Sequence, residues 1–197
     1  MHAGKVYLAA MLEVTVVRTE EELLQIHRLN QENLRQNLHA GTQDQEGFVS
    51  WLYSVPLLAQ MHELAPSVIV REGGEVVGYA LTTLREARAF HADLDTMFRN
   101  LQTVQYRDKP LSDHSFYCMG QICVAKTHRG RGLVDLMYQK HRELYSDRYA
   151  FILTEISTGN QRSQKAHEKT GFQTIHTYRD GVDEWNVVVW EWLARTG

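Results

Sequence analysis

Several things are scarce in this sequence, and each scarcity excludes something. There are two cysteines in 197 residues, too few for a disulfide-stapled scaffold. Cys118 and Cys123 fall in one predicted strand, five positions apart and therefore expected on opposite faces, where they cannot pair. No Cys/His spacing resembles a zinc site, so no metal is expected. Proline occurs three times, and no low-complexity tract, linker or internal repeat interrupts the chain. Neither charge sign dominates: 21 basic and 24 acidic residues leave a net charge of −3. The basic residues are scattered rather than striped, which argues against a nucleic-acid surface. No apolar run approaches the ~20 residues of a membrane span. Residues 6–12 are a short apolar run without a convincing cleavage site, so no secretory leader is expected. Met11 reads as a start with 1–10 as an extension, and the location is expected to be cytoplasmic.

What is present suffices for one core. With 43% hydrophobic residues, residues 1–197 are expected to form a single domain. Alternation over 13–18 predicts a first strand. Thr19-x-x-Glu22 is a capping box opening a helix through Leu34. Residues 48–64 read as a second helical region, broken near Pro56, after a polar loop at 40–47. Residues 68–71 and 76–84 flank Gly73-Gly74 and predict a hairpin. Residues 86–115 read as an insertion carrying a helix and a loop around Pro110. Strands are expected at 116–125, at 150–156 and at the end of the chain, 185–192.

The densest information lies in Arg129-Gly130-Arg131-Gly132-Leu133-Val134. A strand runs into this turn and a helix opens behind it. Backbone N–H groups and a helix dipole then converge on one point, and glycine admits a ligand close to the main chain. The turn lacks the Lys-Ser/Thr of a P-loop and the third glycine of a dinucleotide fingerprint. About thirty residues on, Asn160 is placed to cap a helix that Gly171 ends, with Asn160, Ser163, Gln164 and His167 on one face.

These two segments resemble the paired motifs of the GNAT N-acetyltransferase superfamily. The first is similar to its pyrophosphate motif Arg/Gln-x-x-Gly-x-Gly/Ala. The second, Asn160 to Phe172, is similar to Asn-x-x-Ser/Ala-x-x-x-Tyr-Glu-Lys-x-Gly-Phe. The resemblance implies an α/β fold with a mixed, mostly antiparallel sheet flanked by helices and a splayed strand pair at the acyl-coenzyme A site. It implies acetyl-CoA as co-substrate and an amine of a small molecule or protein as acceptor. The main chain of Ile122, Cys123 and Val124 would hold the pantetheine arm. Arg129, Gly130, Arg131, Gly132, Leu133 and Val134 would hold the pyrophosphate, and Asn160 would cap its helix or bind the arm. Two positions depart from the pattern: Val134 replaces Gly or Ala, and His167 replaces the tyrosine that often protonates departing coenzyme A.

Glu155 ends a strand twelve residues before His167, the separation found in relatives that acetylate ribosomal-protein N-termini, and is the candidate general base. A lysine-type amine ionises near ~10.4 and must lose a proton before it attacks. His167 is the candidate acid, either as imidazolium or as a hydrogen-bond donor to sulfur. Trp51, Tyr53, His91, Asp93, Asp95, Tyr106 and Asp113 are candidates for the acceptor surface. The alternative from another class is an acyl-CoA-binding module with little chemistry that acts through a partner. A homodimer is left open.

Overall fold

The computed structural model describes residues 11–37 and 47–192. The expected extension at 1–10 lies outside these residues, as does nearly all of the loop at 40–47. In chain order the elements begin with β1 (Leu12–Val16), α1 (Glu20–Glu32), α2 (Val55–Leu64), β2 (Val68–Glu72) and β3 (Glu75–Thr83). Then come α3 (Ala92–Gln102), the two-residue strands β4 (Gln105–Tyr106) and β5 (Lys109–Pro110), and β6 (Phe116–Val124). The chain continues with α4 (Leu133–Tyr145), β7 (Phe151–Ser157), α5 (Gln161–Thr170), β8 (Gln173–Arg179) and β9 (Glu184–Glu191).

Seven strands make one sheet in the order β1-β2-β3-β6-β7-β9-β8. Every neighbouring pair is antiparallel except β6 and β7, which run parallel with α4 as the crossover. Leu23, Ile26, Leu57, Met61 and Leu94 pack α1, α2 and α3 on one face. Leu133, Met137, Tyr138 and Phe172 pack the α4–α5 layer on the other. No helix among the described residues is long and apolar enough to cross a membrane.

Local chemistry explains most element ends. The Thr19 side chain accepts the Glu22 N–H, and the Glu22 carboxylate answers to the Thr19 N–H, closing the capping box. Helix α2 starts at Val55 rather than at 48, because Ser54 caps it and Pro56, lacking an N–H, belongs in a first turn. Residues 48–54 are instead held without helix. Asn30 bonds the carbonyl of Trp51 (3.0 Å) and the N–H of Tyr53 (2.9 Å), and Gln121 also donates to Trp51 (2.8 Å).

The cysteines require a correction. Strand β6 carries one extra residue against β3, since Ala80 faces Ile122 while Thr82 faces Met119. That bulge reverses the alternation, so Cys118 and Cys123 both point to the α1–α3 side. Both remain free thiols, buried and unreactive in character: burial pushes Cys123 up to about 12.

Candidate active site

The bulge also creates the site. β6 and β7 pair only at Phe116–Phe151, Tyr117–Ile152 and Cys118–Leu153. Beyond these the strands separate, because the extra residue bends β6 away from a partner that stays straight against β9. Gly120 sits at the bend. A Cβ there would run into Thr83 Oγ1 and lie 2.9 Å from the Tyr53 hydroxyl oxygen, so no larger residue fits without movement. The wedge between the strands divides into two cavities that share Phe48, Val49, Ile122, Asn160, Ser163 and His167.

The first cavity, about 270 Å³, is lined by every residue expected to hold the cofactor except Arg131. Gly130 and Gly132 are left-handed (φ +78° and +77°), and a Cβ on either would meet nothing within 4 Å. Gly132 is the N-cap of α4 and offers no side chain to the first turn. The N–H groups of Leu133, Val134 and Asp135 are thus donors without a side-chain cap, at the positive end of a thirteen-residue helix. An open, donor-lined cradle of this kind fits a pyrophosphate.

The two arginines of the turn are engaged within the protein. Arg129 turns inward: its Nε donates to the Val124 carbonyl (3.1 Å) and its Nη2 to Asn33 Oδ1 (2.5 Å), fastening the turn to the end of α1. Arg131 lies 3.4 Å from Glu72 Oε1, whose other oxygen meets His128 Nε2 at 2.8 Å. The His128 hydrogen bond holds the Glu72 carboxyl below its ordinary value, with Arg131 acting in the same direction. Asn160 caps α5 by accepting the Ser163 N–H (3.2 Å) and spends its Nδ2 on the Phe48 carbonyl (2.8 Å).

The second cavity, about 450 Å³, contains Glu155. Burial pushes this carboxyl up to about 7; the Tyr178 hydroxyl, donating to Oε1 at 2.9 Å, opposes that shift, and Asp180 adds to it. His167 stands at the junction, 2% exposed. Its Nδ1 meets the Ser163 carbonyl at 2.8 Å, and a carbonyl can only accept, so the proton is on Nδ1. Nε2 therefore accepts from the Tyr138 hydroxyl (2.6 Å). Burial lowers the ring to about 4, so it is neutral at pH 7.

Of the acceptor candidates, Trp51, Tyr53 and Asp93 line this cavity. The others do not. His91 packs tilted against Trp51 (centroids 4.8 Å apart). Asp95 pairs with Arg88 (2.6 Å) and Arg99 (2.9 Å). Tyr106 donates to Glu191 (2.9 Å), and the Asp113 carbonyl accepts from Lys109 (3.0 Å). Tyr178, Asp180 and Trp185, which the sequence did not nominate, complete the wall from β8, β9 and their connection. Only long-range pairing brings them there.

The parallel strand pair thus opens over a glycine turn, with an anion cradle on one side and a half-buried carboxylate on the other. The chain belongs to the acetyltransferase (GNAT) family, whose model matches residues 24–172. Solved structures share the fold at low identity. The ribosomal-protein-S18-alanine N-acetyltransferase from Escherichia coli is 14% identical, with a TM-score of 0.60 over 92% of this chain and 94% of that one. Ard1 from Thermoplasma volcanium is 11% identical, with a TM-score of 0.63 over 92% and 98%. The yncA protein from Salmonella typhimurium, solved with its cofactor acetyl-CoA, is 11% identical, with a TM-score of 0.60 over 94% and 96%. A search of curated protein sequences gave no match.

Proposed function

We propose that this protein is an acetyl-CoA-dependent N-acetyltransferase acting on a primary amine of a small molecule or protein. The observation that carries this reading is the junction of the two cavities: the cofactor cradle and the cavity of Glu155 meet at Ile122, Asn160 and His167. Membership of the family and a neighbour that holds acetyl-CoA support the choice of co-substrate.

Acetyl-CoA would supply a thioester whose C–S bond breaks as the C–N bond forms, coenzyme A leaving as a thiolate that takes its proton from solvent. The cradle at 130–134 would hold the phosphates, and the open edge of β6 at Ile122 to Val124 would orient the arm. An amine enters as ammonium and must lose a proton before attack. Glu155, with a pKa of about 7, is matched to take it near neutral pH. Tyr178 holds that carboxylate through Oε1. His167 has its only proton bonded to the Ser163 carbonyl. It serves in this proposal as a positioning residue, joining α5 to α4 through Tyr138 beneath the junction.

Free-thiol release from acetyl-CoA against an amine panel tests the proposal. Glu155→Gln should lower kcat/KM by roughly 10²–10⁴ while leaving cofactor affinity nearly unchanged. Binding of acetyl-CoA without turnover of any amine would establish the binding-module reading instead.

A further inference from the structure

The two cavities differ in charge. The cofactor cleft is lined by His128, Arg129, Arg162 and Lys169 against one carboxylate, Asp135. Among the described residues lining the acceptor cavity there is no lysine or arginine, and the carboxylates there are Asp93, Glu155 and Asp180. Its histidine, His167, is neutral. We infer that the acceptor is an amine bearing a second positive charge and no carboxylate beside the reacting nitrogen, an inference that rests on the reading of Glu155 as base.

Glu155 serves the reacting nitrogen, which leaves Asp93 and Asp180 for another group. Asp180 accepts the N–H groups of Val182 (2.7 Å) and Asp183 (2.8 Å) and is thereby fixed at the wall. Its neighbour Asp183 is neutralised by Arg35 (2.8 Å). Neither Asp180 nor Asp93 has a lysine or arginine partner among the described residues. The same cavity is lined by the rings of Trp51, Tyr53 and Trp185, the first two with centroids 4.3 Å apart. Carboxylates beside aromatic faces stabilise a cation by charge and by the ring quadrupole. An amino-acid carboxylate would meet like charge with no cation to receive it.

A free diamine or a peptide with a basic residue near its N-terminus would both supply this chemistry. Initial rates of thiol release should therefore be compared for n-butylamine, 1,4-diaminobutane, glycine, and two peptides whose second residue is Arg or Glu. The expected result is a kcat/KM roughly tenfold higher for the dication than for the matched monocation, narrowing in high salt. In Asp93→Asn/Asp180→Asn that ratio should fall, through KM, toward the roughly twofold value that two equivalent amines give by statistics alone. A diamine preferred over both peptides identifies a small polyamine; preference for the Arg peptide over its Glu counterpart identifies a protein acceptor. Equal turnover of monocation and dication, preference for glycine or the Glu peptide, or an unchanged ratio in the double variant overturns this inference alone. No turnover of any amine overturns the acetyltransferase reading with it.

Discussion

At the scale of single residues, the balance on Glu155 decides the working pH. Burial raises its pKa from the ordinary 4.5 to about 7, and the Tyr178 hydroxyl holds it from going higher. Tyr178→Phe removes a donor to the charged form. The acid limb of the kcat/KM profile should then move to higher pH, by on the order of one unit. Activity lost at pH 7 should return near pH 9. A lowered Tm with an unmoved limb would show that Tyr178 only packs. His167 calls for the opposite kind of readout. His167→Ala leaves the Tyr138 hydroxyl without its acceptor and opens space under the junction. Stability should fall by about 2–4 kcal/mol and cofactor affinity with it. At saturating acetyl-CoA, kcat should stay within a few-fold. A kcat loss of 10² or more at saturation would assign the ring an acid role after all.

At the scale of elements, the bulge in β6 matters more than any helix. It stops the β6–β7 ladder after three pairs and turns Ile122 to Val124 into an open edge. Gly120→Ala drives a methyl group into Thr83 and Tyr53. The expected cost is about 1–3 kcal/mol in urea unfolding, the usual range for overpacking. Because relief would require β6 to shift, the Tm increase given by acetyl-CoA should shrink in parallel. Full retention of that increase would mean that the bulge does not govern the cofactor edge. The helices were easier to read from sequence, since caps are written within four residues: Thr19 with Glu22, and Asn160 with Ser163. The segment 48–54 was not. Its apolar spacing suits a helix, but hydrogen bonds from Asn30 and Gln121, distant in sequence, hold it otherwise.

At the scale of the whole molecule, two buried histidines and the half-buried Glu155 shape how stability depends on pH. His141 and His167 are both lowered to about 4 by burial. The Nε2–H of His141 donates to the Ala80 carbonyl (3.3 Å), and Tyr117 donates to its Nδ1 (3.0 Å). Between pH 6.5 and 4 the unfolded chain binds protons that the folded rings refuse. Stability therefore falls as pH drops through that window, by roughly 3 kcal/mol per ring. Glu155 acts with the opposite sign. Its folded pKa is raised, so between 4.5 and 7 the native state binds the extra proton, and stability from this group declines as pH rises. Two rings outweigh one carboxyl, so urea midpoints should be higher at pH 7 than at pH 5. In Glu155→Gln the opposing contribution is gone, and the difference should widen. An unchanged difference in the variant would show that Glu155 ionises normally in the fold.

The sequence by itself determined what depends on near neighbours. A cradle at 130–134 needs glycines before a helix start. A helix from Asn160 to Gly171 needs a side-chain cap and a residue free to leave the helical region. Both are local properties, which is why the two motifs were legible, and through their resemblance the family and its mixed sheet. The tertiary structure alone decided what those residues face. It turned Arg129 to Asn33 and drew Arg131 toward Glu72. It put Cys118 and Cys123 on one face through a single inserted residue. It brought Tyr178, 23 residues away, onto Glu155, and set Asp180 and Trp185 in the same wall. Strand alternation shows which residues share a face, but which strand lies beside another is settled by packing across the sheet, and the acceptor cavity is built almost wholly from such pairings.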